Sequence, residues 1–234
     1  MPIYDNMLSD PDSTITGIGE KLVMYRNNWF IDKINYYGCC DKEKVLEIGP
    51  GKGFFAMACR ERNLSYNGIE LNKLLASALQ EQGYEVVNGE VPPIPGDNKY
   101  STIYMNQVLE HMPSTKKAVE LFESCYQHLY SKGLIIISTP DYGMWKEDFF
   151  IGDYTHQFPV SSIRLKQMIS DSGYQLLEYG YYTLTFSGFL KCKIIEKITK
   201  LSWSTGLMHL FFRKKAYKIK SSLLPSLYCI AIKK

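Results

Sequence analysis

The 234-residue chain is 45% hydrophobic and 22% charged, a composition typical of a globular protein and too apolar for a disordered one. Its length suits one α/β domain with additions. No apolar stretch reaches the ~18 residues that span a bilayer, and residues 1–12 lack the basic start and apolar run of a secretory signal, so we expect a cytoplasmic protein. The six cysteines stand without metal-ligand spacing, which predicts reduced thiols rather than disulfides or a zinc site.

The net charge of +3 is unevenly distributed along the chain. Residues 191–234 include eleven Lys or Arg residues and a single acid, Glu196. Such a basic segment predicts an anionic partner: a phosphorylated acceptor, a lipid headgroup at the inner face of a membrane, or a nucleic acid. A solvated basic face explains the same pattern equally well.

The predicted elements follow one another in a regular order. Residues 19–36 have helical character, and from Lys44 onward apolar β-type runs alternate with helical stretches, as in βαβ units that build a parallel sheet. The pattern predicts strands over 45–49, 66–70, 85–88, 102–106, 133–138, 174–182 and 227–232, and helices over 52–62, 72–82, 114–129 and 161–172. The β-branched run 133–138 is the best candidate for the sheet centre.

The predicted fold class is therefore α/β: a Rossmann-like, mostly parallel seven-stranded sheet flanked by helices, in a single domain over 1–234. We expect an N-terminal helical lid over 1–40, a ligand-binding core over 44–182, a basic helical insertion over 186–224 and a final strand over 226–234. In the insertion, the apolar run 207–212 leads directly into three basic residues, which is typical of a helix that lies at an interface.

A glycine-rich loop follows the first predicted strand. Gly49, Gly51 and Gly53 allow a tight turn and a close approach of the backbone to a nucleotide-like ligand. The dinucleotide pattern Gly-x-Gly-x-x-Gly/Ala fails when it is started at Gly49, where Phe54 takes the third position. It is satisfied when it is started at Gly51, where Ala56 takes that position, so the glycines alone leave the ligand open.

Two acids near this loop narrow the choice of ligand. Glu47, just before the loop, would repel a pyrophosphate but suits the ammonium group of a methionine moiety. Glu70, at the end of the second predicted strand, has the ~20-residue offset of an acid that holds ribose hydroxyls. An exposed carboxylate at a strand end is the structural alternative for Glu70.

Three motifs together resemble the class I S-adenosylmethionine-dependent methyltransferases. They are the run from Val45 to Gly53, then Gly68-Ile69-Glu70, then Gln107-Val108-Leu109-Glu110-His111-Met112 after the fourth strand. The Leu-Glu-His piece resembles the branch with ubiquinone-type and sugar O-methyltransferases. The resemblance covers roughly residues 44–182, and Tyr100-Ser101 departs from it, since relatives usually carry an aromatic residue followed by Asp there.

The resemblance implies S-adenosylmethionine as cofactor, S-adenosylhomocysteine as product, and a role for each matching residue. Glu47 and the three loop glycines would surround the methionine and ribose, and Glu70, followed by Leu71, would hold the ribose hydroxyls. The remaining implied cofactor contacts are Gly89 and Glu90 at the adenine, and Asn106 and Gln107 beneath the methionyl group.

Transfer of a methyl group to a hydroxyl requires a base that removes the acceptor proton. The candidate catalytic residues are His156, His111 and Glu110, because imidazole titrates near neutral pH and burial tunes a carboxylate upward. Each has a structural alternative, in which it only holds its loop in place. The candidate acceptor-binding residues are aromatic: Tyr25, Trp29, Tyr142 and Trp145. No metal site is predicted, since Asp141 has no neighbouring acid.

The leading hypothesis is a methyltransferase that acts on an oxygen of a sugar, a polysaccharide or a small metabolite, with a phosphorylated or lipid-linked acceptor. Nucleic acid is not expected as a substrate, because the Asn/Asp-Pro-Pro-aromatic motif is missing after the fourth strand. The alternatives are an NAD(P)-dependent oxidoreductase or epimerase, and a non-catalytic S-adenosylmethionine-binding partner protein. Further candidate partners are a membrane surface, contacted through the basic C-terminal region, and a second copy of the chain.

Overall fold

A computed structural model describes residues 17–38, 44–151, 153–204 and 216–234. The helices are α1 (Ile18–Tyr37), α2 (Phe54–Glu61), α3 (Lys73–Glu81), α4 (Thr115–His128), α5 (Tyr142–Trp145), α6 (Asp148–Ile151), α7 (Ser162–Asp171), α8 (Phe189–Ser204) and α9 (Ala216–Leu223). The strands are β1 (Lys44–Ile48), β2 (Ser65–Glu70), β3 (Val86–Asn88), β4 (Tyr100–Asn106), β5 (Leu129–Pro140), β6 (Tyr174–Tyr182) and β7 (Ser226–Lys233).

The strands form one seven-stranded sheet in the order β3-β2-β1-β4-β5-β7-β6. All pairs from β3 to β5 are parallel, whereas β7 runs antiparallel to both β5 and β6. The predicted mostly parallel Rossmann-like sheet is confirmed. The middle position belongs to β4, and β5 lies next to it, so the prediction of 133–138 at the centre is wrong by one strand.

Helices cover both faces of the sheet. On one face, α4 and α7 pack against alternate residues of β4 and β5 such as Met105 and Ile137. On the other face, α1 and α2 pack against Tyr104 and Ile136. Since strand order reverses between β1 and β4, a ligand crevice is expected outside the carboxyl ends of these two strands.

Helix α1 belongs to the outer layer of the domain. Phe30 and Ile31, both fully buried, pack α1 on the sheet beside α2. Glu178 of β6 ties the same helix down, because its carboxylate accepts hydrogen bonds from Lys33 Nζ at 2.7 Å and from Tyr37 and Tyr228 hydroxyls at 2.8 and 2.7 Å. Closure of this helix over a ligand, as in the predicted lid, stays a prediction.

The segment after β5 forms two short helices that are not among the helices predicted from the sequence. The Asp141 side chain accepts a hydrogen bond from Met144 N at 3.0 Å and so caps the one-turn helix α5, which begins at Tyr142. The helix ends before Lys146, whose φ of 52° leaves the helical region.

Within the predicted insertion 186–224, residues Phe189–Ser204 form α8 and residues Ala216–Leu223 form α9. The predicted interface-seeking run 207–212 and the basic residues after it lie outside the described residues. Within the described ranges, no helix is both long and apolar enough to cross a membrane.

We expect Glu178→Gln to lower the free energy of unfolding by about 1–3 kcal/mol, because it removes the charge that accepts hydrogen bonds from three side chains. Asp32→Asn on helix α1 breaks the exposed ion pair with Arg62 at 3.2 Å and should lower the free energy of unfolding by less than ~0.5 kcal/mol. Urea unfolding of both variants checks this. Equal losses in the two would contradict the role of Glu178 as the tether of α1.

Candidate functional site

The loop after β1 is shaped by three glycines with left-handed backbone angles, φ of 72°, 55° and 78° at Gly49, Gly51 and Gly53. A Cβ atom at Gly49 would stand 2.7 Å from Val108 Cγ2, and one at Gly53 would overlap the Leu79 side chain. At Gly51 it would meet nothing within 4 Å, so this residue lies at an open edge of the loop. The backbone here is thus exposed to a ligand that lies across the strand ends.

The carboxylate of Glu70 joins the loops that follow β1 and β2. Oε2 accepts a hydrogen bond from Gly51 N and Oε1 accepts one from Asn72 N, both at 2.9 Å. Glu70 is buried, and each of its oxygens keeps acceptor capacity beyond these bonds. The structural alternative for Glu70, an exposed strand-end carboxylate, is therefore wrong.

Asn88 at the end of β3 holds the same corner and was not among the predicted site residues. Its Nδ2 donates to Glu70 O at 2.8 Å and to Leu71 O at 2.9 Å. Gly89 N donates to Glu70 O at 3.0 Å. The predicted adenine neighbours Gly89 and Glu90 are thus beside Leu71, whose apolar side chain is 54% exposed.

Glu47 lies beneath the glycine loop. It is buried and accepts a hydrogen bond from the Tyr66 hydroxyl at 2.6 Å. Burial raises the pKa of Glu47 to about 8, against the opposing effect of the Tyr66 hydrogen bond. A cation placed nearby would favour the ionised form, which suits the predicted neighbourhood of an ammonium group.

Asn106 and Gln107 lie where β4 ends, as predicted. Asn106 Oδ1 accepts a hydrogen bond from the Tyr182 hydroxyl at 3.0 Å, and Tyr182 also bonds Ser138 Oγ at 2.5 Å. Gln107 has a φ of 58° and its Nε2 donates to Ser226 Oγ at 3.2 Å. The ends of β4, β5, β6 and β7 therefore meet at one polar spot.

Arg26 of α1 reaches the same place, although it is not among the site residues predicted from the sequence. Its guanidinium lies 4.4 Å from the centre of the Tyr182 ring and donates to Thr183 O at 2.8 Å. Arg26 is buried, and burial lowers its pKa. Its Nε and the buried Tyr104 hydroxyl lack hydrogen-bond partners among the described residues.

The three predicted catalytic residues lie together, in the segments that follow β4 and α6. One possible ligand atom each of Glu110, His111 and His156 lies within 4.8 Å of the other two. The two imidazole rings are 4.9 Å apart between centroids. The sequence separates His156 from the pair by 45 positions, so the fold alone brings them together.

Hydrogen bonds assign the tautomers of both histidines. His156 Nδ1 lies 2.6 Å from Phe149 O, an acceptor, so Nδ1 carries the proton. His111 Nδ1 lies 2.9 Å from Thr155 Oγ1, whose own hydrogen is donated to Asp153 Oδ1 at 2.5 Å, so His111 Nδ1 is also the donor. In the neutral form of each ring, Nε2 is then the nitrogen without a proton. Burial, and after it the neighbouring His156, lower the pKa of His111.

Glu110 is completely buried at the first turn after β4. Its Oε2 accepts a hydrogen bond from Thr139 Oγ1 at 3.0 Å, whereas Oε1 has no partner among the described residues. Burial raises the pKa of Glu110 to about 8. Its backbone carbonyl accepts from Gln157 N and Phe158 N, both at 2.9 Å, which fastens the loop that carries His156.

The predicted acceptor-binding aromatic residues do not form one group. Trp29 packs edge-on against Phe30 and Tyr228, and Trp145 is buried with its Nε1 donating to Pro225 O at 2.8 Å. Tyr25 is 65% exposed and Tyr142 is 40% exposed, the latter against Phe149, whose ring also contacts His156. Tyr142 and Trp145 thus approach the cluster through Phe149, and acceptor binding by all four stays a prediction.

A sequence model of the methyltransferase domain matches residues 24–179, about two thirds of the chain. The chain belongs to this methyltransferase family. The match covers the glycine loop, Glu70 and the Glu110-His111-His156 cluster, so the family resemblance seen in the motifs is confirmed. Membership of the Leu-Glu-His branch stays a prediction.

Two curated methyltransferases are similar over part of their length. A malonyl-[acyl-carrier protein] O-methyltransferase of Calditerrivibrio nitroreducens is 29% identical over 100 residues, 43% of this chain and 39% of that protein. A ubiquinone biosynthesis O-methyltransferase of Pseudomonas fluorescens is 25% identical over 122 residues, 49% of this chain and 50% of that protein. The chain therefore spans half or less of these relatives.

A solved structure shows the same fold over nearly the whole methyltransferase domain. The crystal structure of a SAM-dependent methyltransferase from Archaeoglobus fulgidus matches 92% of this chain and 94% of its own, with a TM-score of 0.62 and 20% identity. At this identity the likeness establishes the fold, and the acceptor has to be argued from the site.

Glu47 makes the stability of the ligand-free methyltransferase domain depend on pH. Its pKa rises from 4.5 to about 8 on folding, so the domain loses stability as the pH rises from about 4.5 to about 8. We expect Glu47→Gln, which cannot ionise, to be more stable than the wild type by a few kcal/mol near pH 9, with a smaller difference near pH 4.5.

Urea unfolding at the two pH values measures this difference, with Glu61→Gln on the exposed side of α2 as the control. A wild-type-to-variant difference that is the same at both pH values would show that Glu47 ionises normally in the folded protein.

Proposed function

We propose that this chain transfers the methyl group of S-adenosylmethionine to an oxygen atom of a small acceptor. The observation that carries the proposal is the buried Glu70 carboxylate, which is tied to the open edge of the glycine loop by Gly51 N at 2.9 Å. When bound, the cofactor supplies a methyl group already activated on a sulfonium, so the protein has to align the acceptor and accept its proton.

The residues around Glu70 fit the nucleoside end of this cofactor. The Glu70 oxygens retain lone pairs for ribose hydroxyls, and a side chain at Gly51 would occupy the space before the loop. The exposed Leu71 side chain, beside Gly89, offers an apolar surface to a purine ring. A pyrophosphate would instead meet two buried acids, Glu47 and Glu70, which disfavours a dinucleotide.

The residues at the ends of β4 and β6 fit the methionine end of S-adenosylmethionine. Arg26 is a buried cation whose Nε has no hydrogen-bond partner in the described part of the chain, which suits a carboxylate. Glu47, on the same face of the sheet, suits the ammonium group. Because Asn106 and Tyr182 hold each other at 3.0 Å, the polar surface between these two charges is in place before the ligand binds.

The acceptor would bind beside the Glu110-His111-His156 cluster. In its neutral form, a histidine that is protonated on Nδ1 can accept a proton from a hydroxyl group at Nε2. Tyr142 and Phe150, both partly exposed, supply rings against which the face of a sugar or another flat acceptor would pack.

The names of both curated relatives include O-methyltransferase, and this supports oxygen as the receiving atom. A sugar, a polysaccharide precursor or a related small metabolite is the acceptor class we propose, carried on a phosphate or a lipid. The basic C-terminal segment supports the anionic carrier.

The cofactor assignment predicts tight binding of S-adenosylhomocysteine in calorimetric titration, and no comparable binding of NAD. We expect Glu70→Gln to weaken this binding by roughly 10–100-fold, since hydrogen bonds to a charged group contribute about 1.5–3 kcal/mol. Glu81→Gln, at the exposed end of α3, is the matched control and should bind normally.

Binding of NAD alone would overturn the assignment and favour an oxidoreductase or epimerase. Tight binding of S-adenosylhomocysteine without methyl transfer to any sugar, lipid-linked or carrier-linked acceptor would instead favour a non-catalytic binding protein.

We further infer that helix α8 lies on an anionic membrane surface at the inner face of the cell membrane. Four apolar side chains spaced three or four residues apart share one face of the helix and are at least half exposed: Leu190, Ile194, Ile198 and Leu201. Lys191 and Lys197 beside them are exposed as well. An apolar face bordered by lysines is the pattern of helices that lie in the headgroup region of anionic bilayers.

Sedimentation with lipid vesicles tests this contact. We expect the protein to sediment with vesicles that contain phosphatidylglycerol and to stay in the supernatant with pure phosphatidylcholine. The double variant Leu190→Ser, Ile194→Ser should lose most of this binding, whereas Ile163→Ser, which changes an equally exposed apolar residue of α7, should keep it. Equal losses in the two variants, or no sedimentation of the wild type, would refute the membrane contact.

A further inference from the structure

We propose that Glu110, His111 and His156 bind a divalent transition-metal ion at the acceptor side of the cleft. The binding of the ion stands on its own geometry. Its use in placing an acceptor oxygen rests on the proposed function.

The three side chains supply the ligand set of a metal centre with open positions. Two neutral imidazoles and one carboxylate, with ligand atoms within 4.8 Å of one another, match the set that binds zinc or iron in catalytic sites. Bonds of ~2.0–2.2 Å from a common ion bring such atoms to roughly 3–4 Å from each other, so small side-chain rotations close the site.

The buried carboxylate of Glu110 points to a ligand independently of the cluster itself. This side chain is fully buried, and Oε1 has no hydrogen-bond partner among the described residues although Oε2 is bonded to Thr139. An unpaired carboxylate oxygen in such a place costs free energy unless a cation or a donor reaches it. A metal ion would satisfy it.

Each histidine ring is held by a hydrogen bond at Nδ1, the nitrogen that would not bind the ion. His156 Nδ1–H donates to Phe149 O at 2.6 Å, and His111 Nδ1–H donates to Thr155 Oγ1, which in turn donates to Asp153. Metal-binding histidines nearly always donate their second ring nitrogen to a carbonyl or carboxylate in this manner. In the neutral form of each ring, Nε2 is then the nitrogen that would coordinate the ion.

The ligand types decide which ions are favoured. Imidazole nitrogens favour zinc, cobalt, iron or nickel, whereas magnesium and calcium favour oxygen ligands. Three protein ligands leave at least one position for a water molecule or for an acceptor hydroxyl. A hydroxyl bound there would release its proton to solvent more readily, so with the ion in place the ion, and not a histidine, would activate the acceptor for the proposed methyl transfer.

Titration of the metal-free protein with Co²⁺, followed by visible absorption and calorimetry, tests the site. We expect one ion per chain with a nitrogen and oxygen ligand spectrum. Glu110→Gln and His156→Asn should each weaken the affinity by at least ~100-fold, and Thr155→Val, which keeps all three ligands, by roughly 10–100-fold. His128→Asn is the matched control, because both nitrogens of His128 are bonded to backbone carbonyls away from the cluster.

Several results would overturn the proposal: no binding of Co²⁺, binding that survives Glu110→Gln and His156→Asn, or an absorption spectrum of thiolate ligation, which would place the ion on cysteines. Binding of S-adenosylhomocysteine and circular dichroism show whether each variant is folded. If the wild type binds Co²⁺ but not S-adenosylhomocysteine, the proposed function fails while the metal site stands.

Discussion

The candidate site depends on one buried carboxylate, that of Glu70, and on the two backbone N–H groups that it accepts at 2.9 Å. A buried charge is tolerated only where hydrogen bonds replace its water, and Gly51 and Asn72 provide them. The same bonds connect the turn after β1 with the turn after β2. Glu70 therefore both shapes the cleft and faces it. A ligand that bonds Glu70 is at the same time placed at a fixed distance from the glycine loop.

Much of this could be predicted from the sequence because the signals are local. Strand β6 has the predicted bounds, 174–182, and β1 differs from the prediction by one residue at each end. Alternation of strands and helices predicts the parallel sheet, and in such a sheet residues that follow successive strands meet at one edge. Glu47, the loop glycines, Glu70 and Asn106 are all of this kind.

The rest depends on contacts between distant parts of the chain, which carry no sequence pattern. Arg26 bonds Thr183 O across 157 positions, so nothing near residue 26 marks it as part of the site. Helix α5 was missed because a single capping side chain, Asp141, decides between turn and helix in so short a segment. Asn88 was missed for a related reason, since an Asn at a strand end is common and only its bonds to Glu70 O and Leu71 O make it specific.

On the proposed acceptor side of the cleft, the two parts of Glu110 have different roles. Its backbone holds the loop that carries His156, whereas its side chain belongs to the proposed metal site. The loop with His156 is held by the backbone carbonyl of Glu110, which accepts from Gln157 N and Phe158 N at 2.9 Å. The Glu110 side chain takes no part in these two bonds, and its Oε2 accepts a hydrogen bond from Thr139 Oγ1 instead. Replacing the carboxylate by an amide should therefore leave the loop fastened while it removes the charge. For this reason a change in metal affinity or in methyl transfer after such a substitution reports on the chemistry of the carboxylate rather than on the fold around it.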